Sequence, residues 1–304
     1  MGEFFMKKVK AYLQLARPAN ILTAIADILA GATMAGFMLN WFDGQLMWSN
    51  GIEELALLIV STIGLYGGGV VLNDVFDASL DSVERPERPI PSGRVSLKAA
   101  AWFGIVLLLT GIGAAYQVSA ISGHIAAGVA LCAVLYDYKG KHHPILGPLN
   151  MAGCRAGNLL LGISFVPAAL SDHWVFGLVP LLYITAITMI SRGEVHGGSR
   201  KNLILGALMY LAALALLLVI AKDFQYLHSL PFLLLFAGFV FPPIYSAYKN
   251  PVGKNVGMAV KAGVIGVILL DAAMVAGFGN MLMGGIVCLL LPLAMWLGKA
   301  FAVT

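Results

Sequence analysis

Long apolar segments follow one another along the chain, and short polar segments separate them. In a window of about 19 residues, each apolar segment is about 20 residues long, which lets a helix cross a hydrocarbon core of roughly 30 Å. The pattern predicts an all-α fold, a polytopic transmembrane helical bundle of nine to ten helices. The apolar segments lie near residues 18–39, 54–76, 97–118, 120–137, 148–169, 174–192, 203–221, 229–248, 256–278 and 282–302.

The composition indicates what surrounds these helices. The chain is 60% hydrophobic and only 11% charged, with a mean hydropathy of +0.87, whereas a soluble domain is about 25% charged. A globular protein with so few charged residues would lack a polar surface for contact with water. We therefore expect lipid to contact most of the surface. Cys132, Cys154 and Cys288 lie inside apolar segments, and we interpret them as packing residues rather than as disulfide partners or zinc ligands.

The positions of the basic residues predict the orientation in the membrane. If the N-terminus is cytoplasmic, the inside segments carry nearly all lysines and arginines between the spans, and the outside loops carry only Lys222. This asymmetry follows the positive-inside rule. The apolar run that begins at Ile21 is too long for a signal-peptide core, so we interpret it as a spanning helix. We therefore expect an integral, multi-pass membrane protein.

Three oxygen-bearing side chains are spaced four residues apart at the end of the second apolar segment. Asn73, Asp77 and Asp81 share one face if the helix continues through them. Such oxygens suit Mg²⁺, which takes few protein ligands and completes its shell with water and substrate phosphates. Acids at a helix C-terminus repel one another and oppose the helix dipole, and a cation relieves both costs. The alternative is a solvated helix end balanced by Arg85 and Arg88.

The following loop places arginines among prolines. Prolines at 86, 89 and 91 stiffen the loop, and a guanidinium group can bind two phosphate oxygens at once. We expect Arg88 and Arg94 to contact a diphosphate, on the same cytoplasmic side as the N-terminus. The alternative is that these arginines only set the membrane topology.

The string NDVFDASLD, followed by ERPERPIPSGRVS, resembles the first aspartate-rich motif of the UbiA superfamily of intramembrane prenyltransferases. RPANIL, at Arg17–Leu22, is similar to the entry of the family's first helix, and the chain length and loop spacing agree over nearly the whole chain. The resemblance implies a helical bundle with a central cavity and a lateral opening for an isoprenoid tail, and we expect the cavity to open at the cytoplasmic face. It also implies Mg²⁺ held by Asn73, Asp77 and Asp81, the three catalytic candidates.

After the sixth segment the chain departs from the family pattern. The family usually has D-x-x-x-D here, whereas SRGEVHGG places Glu194 first, His196 next and Gly198 where the last aspartate should stand. Glu194 is expected to bind metal through oxygen, and whether one or two Mg²⁺ ions bind stays open. Substitutes for the missing ligand are water or the basic residues Arg192, Arg200 and Lys201. SRGEVHGG and CRAGNLLLG resemble a divergent branch of the superfamily, the EboC-like proteins.

A third polar cluster, YDYKGKHHP, follows the fourth segment. The family commonly has a tyrosine and a lysine here that contact the diphosphate. Tyr136 with Lys139 or Lys141 fits this role, although the spacing differs from the usual one. All three are therefore candidate substrate-binding residues.

Polar residues at membrane depth form the last candidate group. An ionised group in the hydrocarbon region costs several kcal/mol unless it faces a cavity or a partner. Asn20 and Asp27 on the first segment, and Arg155 and Asn158 on the fifth, therefore should face inwards. We expect them to line the acceptor end of the cavity, with Asp27 and Arg155 paired. The alternative is a purely structural polar clamp.

These features together predict Mg²⁺-dependent transfer of a prenyl group from a polyprenyl diphosphate to a small hydroxylated or aromatic acceptor within the lipid bilayer. No nucleic acid partner is expected. The alternative is an isoprenoid-lipid carrier with little or no catalysis, because the second motif is degenerate. Two matching polar loops four segments apart favour one domain over 1–304 built from similar halves, about 1–137 and 138–304.

Overall fold

The protein is a bundle of α-helices with one short β-hairpin. The structure, a computed structural model, describes residues 2–42, 45–48, 51–193, 197–220 and 225–301. The elements in chain order are α1 (Gly2–Ala16), α2 (Pro18–Met34), β1 (Leu39–Phe42), β2 (Gln45–Trp48), α3 (Ile52–Phe76), α4 (Ala78–Glu84), α5 (Leu97–Val118), α6 (Ala120–Tyr138), α7 (Leu146–Ile163), α8 (Ala169–His173), α9 (Leu178–Ser191), α10 (Arg200–Ile220), α11 (Tyr226–Lys249), α12 (Gly253–Gly277) and α13 (Met281–Ala300).

Each predicted apolar segment falls on a helix, which confirms the helical membrane fold. Within the described part of the chain, eight helical segments are long and apolar enough to span a membrane. The helix α2 is apolar but has only 17 residues. The helix α7 has 18 residues and carries Arg155 and Asn158, which lower its hydropathy. The exact number of spans stays a prediction.

The helix α1 and the hairpin of β1 and β2 lie outside the predicted segments, as do the short helices α4 and α8. The helix α1 precedes the first span and packs Ala11 and Leu15 against Val71 in a small separate core. The strands β1 and β2 pair antiparallel, with Leu39 opposite Trp48. The helix α2 is therefore shorter than the predicted segment 18–39, because β1 begins at residue 39. It stops at Met34 because Gly36 takes a left-handed conformation, which suits glycine.

The junction between α1 and α2 is a single residue. Arg17 has φ 48° and ψ 67°, a left-handed conformation that is uncommon for a residue other than glycine. Pro18 follows at the first position of α2, where its missing N–H costs no helical hydrogen bond. The chain therefore turns sharply at Arg17, and its side chain lies at the polar end of the bundle.

Glycines bring two helix pairs into backbone contact. A Cβ atom on Gly64 of α3 would lie 2.5 Å from the carbonyl oxygen of Leu107 on α5. A Cβ atom on Gly162 of α7 would lie 2.7 Å from the carbonyl oxygen of Ile28 on α2. Small residues commonly permit such close approach between membrane helices. Gly64 and Gly162 therefore serve close packing between helices.

Six helices enclose the cavity that contains the candidate site. The helices α2, α3, α6, α7, α9 and α12, together with the short α4, contribute lining residues. The helix α12 is the most enclosed of the candidate spans, because 83% of the residues in its apolar 18-residue stretch are buried. Its lining residues Val260, Val264 and Val267 form one apolar stripe of the cavity wall.

Candidate active site

A cavity of about 440 Å³ runs from the polar end of the bundle into its interior. Carboxylates, arginines and a lysine surround its mouth, whereas the deeper wall is mostly aliphatic. The predicted residues that line it are Asn20, Asn73, Asp77, Asp81, Arg88, Tyr136, Lys141, Arg155 and Asn158. Four separate stretches of sequence thus meet in one space.

The first motif lies at the junction where α3 ends and α4 begins, and it consists of Asn73, Asp77 and Asp81. Asp77 stands between the two helices. The i to i+4 pattern nevertheless continues, because Asp77 N–H donates to the Asn73 carbonyl at 2.9 Å and Asp81 N–H donates to the Asp77 carbonyl at 2.8 Å. The three side chains therefore share one face, as the spacing predicts, and all three line the cavity.

Basic side chains neutralise the carboxylates at the mouth. Lys141 forms an ion pair with Asp77. Arg88 bridges two acids, with its Nη1 atom 2.7 Å from Asp81 Oδ2 and 3.2 Å from Asp74 Oδ1. The loop after α4 and the loop after α6 thus both place a cation beside the first motif. These contacts agree with the predicted location of Arg88 and Lys141.

Arg17 and Asp137, for which the sequence pattern assigns no role, also belong to the mouth. Arg17 Nη2 lies 2.8 Å from Asp74 Oδ1. Asn73 Nδ2 donates a hydrogen bond to Asp137 Oδ1 at 2.8 Å. In each of these two pairs the partners are more than 50 residues apart in sequence, so spacing along one helix cannot reveal the contact. The available signals were the position of Asp137 directly after Tyr136 and the place of Arg17 at the start of RPANIL.

A buried polar network lies deeper, between α2 and α7. Arg155 Nε lies 2.6 Å from Asp27 Oδ2, which confirms the expected pair. Arg155 also donates to the side chain and the carbonyl of Thr23. Asn158 donates to Asp27 Oδ2 at 2.8 Å and accepts from Thr62 at 2.7 Å. Most polar groups of Arg155 and Asn158 are therefore committed within the protein.

Asp271 adds a second carboxyl group to this network. It is 1% exposed and lies against the carboxyl group of Asp27. Two buried carboxyl groups thus face the guanidinium group of Arg155. Asp27 itself lies behind Arg155 and is not among the described residues that line the cavity.

Two other candidates lie beside the cavity rather than in it. Arg94 donates to Gln14 Oε1 at 2.6 Å and to Ser92 Oγ at 2.9 Å, and it lines a smaller neighbouring cavity. The ammonium group of Lys139 lies 5.1 Å from the ring centroid of Tyr138. Contact of either side chain with a substrate stays a prediction.

The second motif is only partly visible. Glu194 and His196 lie outside the described residues, so Glu194 as a metal ligand stays a prediction. Arg192 donates to the carbonyl of Pro144 at 2.8 Å, and Arg200 donates to the carbonyl of Tyr248 at 3.2 Å. Arg192 therefore connects the end of α9 to the loop before α7, and Arg200 connects the start of α10 to the end of α11.

The donor set at the mouth fits a hard divalent cation. Among the described residues, no three carboxylate, imidazole or thiol groups converge to chelate a metal ion. Mg²⁺ does not need such a cage, because it usually binds one or two carboxylates and takes its other ligands from water and phosphates. Asp77, Asp81 and the amide oxygen of Asn73 are donors of this type.

A helical bundle with a carboxylate-lined and arginine-lined mouth above an apolar cavity defines a polytopic membrane enzyme of the prenyltransferase class. The chain belongs to the UbiA prenyltransferase family, whose model matches residues 29–195. This match covers the first motif and, from the polar network, the α7 residues Arg155 and Asn158, whereas Asp27 lies just before it. The resemblance to the UbiA superfamily is thereby confirmed, while the EboC-like branch stays a prediction.

Two curated relatives are digeranylgeranylglyceryl phosphate synthases. The chain is 33% identical to digeranylgeranylglyceryl phosphate synthase of Methanosarcina mazei over 238 residues, which cover 73% of this chain and 81% of the relative. It is 29% identical to the synthase of the same name from Methanopyrus kandleri over 195 residues, which cover 64% of this chain and 68% of the relative.

Solved structures show the same fold. A digeranylgeranylglyceryl phosphate synthase structure aligns with a TM-score of 0.62 and 22% identity, covering 89% of this chain and 98% of that chain. A UbiA homologue from Archaeoglobus fulgidus, bound to GPP and Mg²⁺, aligns with a TM-score of 0.51 and 13% identity, covering 95% of this chain and 98% of that chain.

Proposed function

We propose that this prenyltransferase moves a prenyl group from a polyprenyl diphosphate to the hydroxyl group of a glyceryl phosphate lipid, with Mg²⁺ as its cofactor. The observation that carries the proposal is the single cavity that joins a charged mouth to an aliphatic interior. A prenyl diphosphate has the same division between a charged head and an apolar tail. The names of the relatives support the choice of acceptor.

The mouth is suited to the diphosphate. Asn73, Asp77 and Asp81 would hold the cation, which neutralises the leaving group when it is bound. Lys141 and Arg88 lie beside these carboxylates and can bind phosphate oxygens. Cationic groups fixed at the position where negative charge develops favour departure of the diphosphate.

The aliphatic wall is suited to the prenyl chain. Val129 of α6, Ile187 of α9 and Val264 of α12 contribute to it. Such a wall excludes water, which otherwise captures the allylic carbocation. The polar network between α2 and α7 reaches the cavity through Arg155 and Asn158. Its groups are mostly paired with one another, so we propose that it positions α2 against α7.

The reaction exchanges one carbon–oxygen bond for another. The bond between the allylic carbon and the diphosphate breaks, and its electron pair leaves with the diphosphate. The acceptor oxygen then bonds to the allylic carbon. Its proton is released at the mouth, where the departing diphosphate can accept it.

The orientation also belongs to the proposal. The polar end carries Arg85, Arg88 and Lys141, and we place it on the cytoplasmic side because basic residues collect there. Single cysteines at positions 98 and 222, in a chain whose native cysteines are replaced, would test this placement. We expect an impermeant thiol reagent to label position 222, and not position 98, from outside intact cells.

The decisive experiment uses the full chain in lipid nanodiscs. Geranylgeranyl diphosphate and geranylgeranylglyceryl phosphate are supplied with Mg²⁺ or with a chelator, and pyrophosphate and lipid products are measured. We expect equal amounts of pyrophosphate and of the diprenylated lipid, only with Mg²⁺ and both substrates. Binding without pyrophosphate release would instead identify a carrier, and a product formed only with an aromatic acceptor would overturn the acceptor assignment.

A further inference from the structure

A second, smaller cavity of about 270 Å³ adjoins the mouth of the main one. Four arginines and two acids are among its lining residues, namely Arg17, Arg85, Arg88, Arg94, Asp74 and Glu87. Arg17, Arg85 and Arg88 line both cavities. The two spaces are therefore neighbours that share one wall of guanidinium groups.

The guanidinium groups of this cavity are not equally engaged. Arg17 and Arg88 are ion-paired with Asp74, and Arg94 is held by Gln14 and Ser92. Within the described part of the chain, the Arg85 side chain makes no hydrogen bond and no ion pair. It is only partly exposed, and it stands where the two cavities meet. An anion with several oxygens is the ligand that such a group lacks.

The loop that carries these arginines is fixed by its own backbone. Arg88 N–H donates to the Arg85 carbonyl at 3.0 Å, and Val95 N–H donates to the Pro89 carbonyl at 3.0 Å. Val95 is buried in the small core beneath α1. The backbone positions of Arg85, Arg88 and Arg94 are therefore fixed, which lowers the entropy lost when an anion binds.

We propose that the small cavity binds the phosphomonoester group of the acceptor lipid, with Arg85 as its principal contact. This inference rests on the proposed function, because it assigns a place to the phosphate of the proposed acceptor. The donor diphosphate has its own candidate contacts, with Lys141 directly and with Asp77 and Asp81 through the cation that they would hold. The acceptor phosphate instead needs cations without a metal, which is what the small cavity supplies.

The shared wall connects this site to the chemistry. A phosphate beside Arg85 places the adjoining glycerol carbons at the boundary with the main cavity, because Arg85 lines both spaces. The free hydroxyl group then faces the main cavity, where the allylic carbon of the donor is expected. The small cavity thus selects an acceptor whose phosphate lies close to its reactive hydroxyl.

The test compares Arg85→Gln with the wild type in nanodiscs. We expect the KM for geranylgeranylglyceryl phosphate to rise roughly 10- to 100-fold, the loss typical of a charge-assisted hydrogen bond. The KM for geranylgeranyl diphosphate should not change. Lys98→Gln, which removes an exposed positive charge at the start of α5, is the matched control and should leave both constants unchanged.

Inorganic phosphate separates the phosphate group from the rest of the lipid. We expect it to inhibit the wild type in competition with the acceptor, and to inhibit Arg85→Gln at least 10-fold more weakly. A rise in the donor KM alone, an equal rise in both constants, or inhibition in competition with the donor would overturn the site. A wild type that makes no diprenylated lipid would instead refute the proposed function.

Discussion

Asn73 and Asp137 join the last turns of α3 and α6 through one hydrogen bond, in which Asn73 Nδ2 donates to Asp137 Oδ1 at 2.8 Å. The bond commits the amide nitrogen of Asn73 to a neighbouring helix and leaves its amide oxygen for other partners. Asp137 thereby positions a candidate ligand without needing to bind the cation itself. Partners of this kind orient metal ligands in many proteins.

Removing this partner should weaken the response to Mg²⁺. We expect Asp137→Ala to raise the Mg²⁺ concentration at half-maximal rate by about 10-fold or more, with the acceptor KM unchanged. Asp137→Asn keeps an oxygen that accepts from Asn73, so it should restore most of the wild-type response. The readout is pyrophosphate release over a Mg²⁺ titration, and an unchanged titration in Asp137→Ala would refute the positioning role.

The carboxylate of Asp77 is expected to be essential. We expect Asp77→Ala to lower pyrophosphate release by at least about 100-fold, because charge stabilisation at the leaving group is lost. Asp172→Ala, which removes an exposed carboxylate in α8, should retain wild-type activity. Both variants should elute as folded protein in detergent. Near-normal turnover of Asp77→Ala at saturating Mg²⁺ would contradict the assignment.

The buried pair of Asp27 and Arg155 should matter for stability. Arg155→Gln leaves two carboxyl groups without their cation, and removal of one partner of a buried ion pair typically costs about 3–5 kcal/mol. The double variant Asp27→Asn with Arg155→Gln should recover part of this loss. Thermal unfolding in mixed micelles measures the effect, with Lys254→Gln as an exposed control. Equal stability of Arg155→Gln and the wild type would show that the pair is dispensable.

Backbone contact between α3 and α5 gives a separate prediction. In Gly64→Ala the new methyl group would lie 2.5 Å from a carbonyl oxygen of Leu107, and such overpacking typically costs about 1–3 kcal/mol. Gly113→Ala, on the open face of α5, meets nothing within 4 Å and should change stability by less than about 1 kcal/mol. Thermal unfolding measures the stability of both variants. Equal unfolding temperatures for the two would contradict the prediction.

The spanning helices were predictable because lipid imposes long apolar segments on the sequence. The helix α1 was not, since exposed lysines at positions 7, 8 and 10 interrupt its apolar residues and no continuous run appears. The hydropathy window also did not predict the hairpin of β1 and β2, whose strands are only four residues long. The two strands are separated in the sequence by Asp43 and Gly44, a dipeptide that favours tight hairpins.

The candidate site was predictable only where it follows helical spacing. Asn73, Asp77 and Asp81 lie on one face because each is four residues from the next. Asp137 and Arg17 meet the same cavity only through tertiary packing, which spacing along one helix does not report. The pairing of Asp27 with Arg155 was predictable across the bundle because two isolated charges in an apolar environment need each other.

The contact between α2 and α7 limits how this enzyme can be redesigned. Gly31 and Gly162 bring the two backbones together one turn beyond Asp27 and Asn158. A larger residue at either glycine would therefore separate the two helices, so these two positions have to stay small. Space for a bulkier substrate is more readily gained at α6, α9 and α12, which line the cavity with aliphatic side chains such as Val129, Ile187 and Val264.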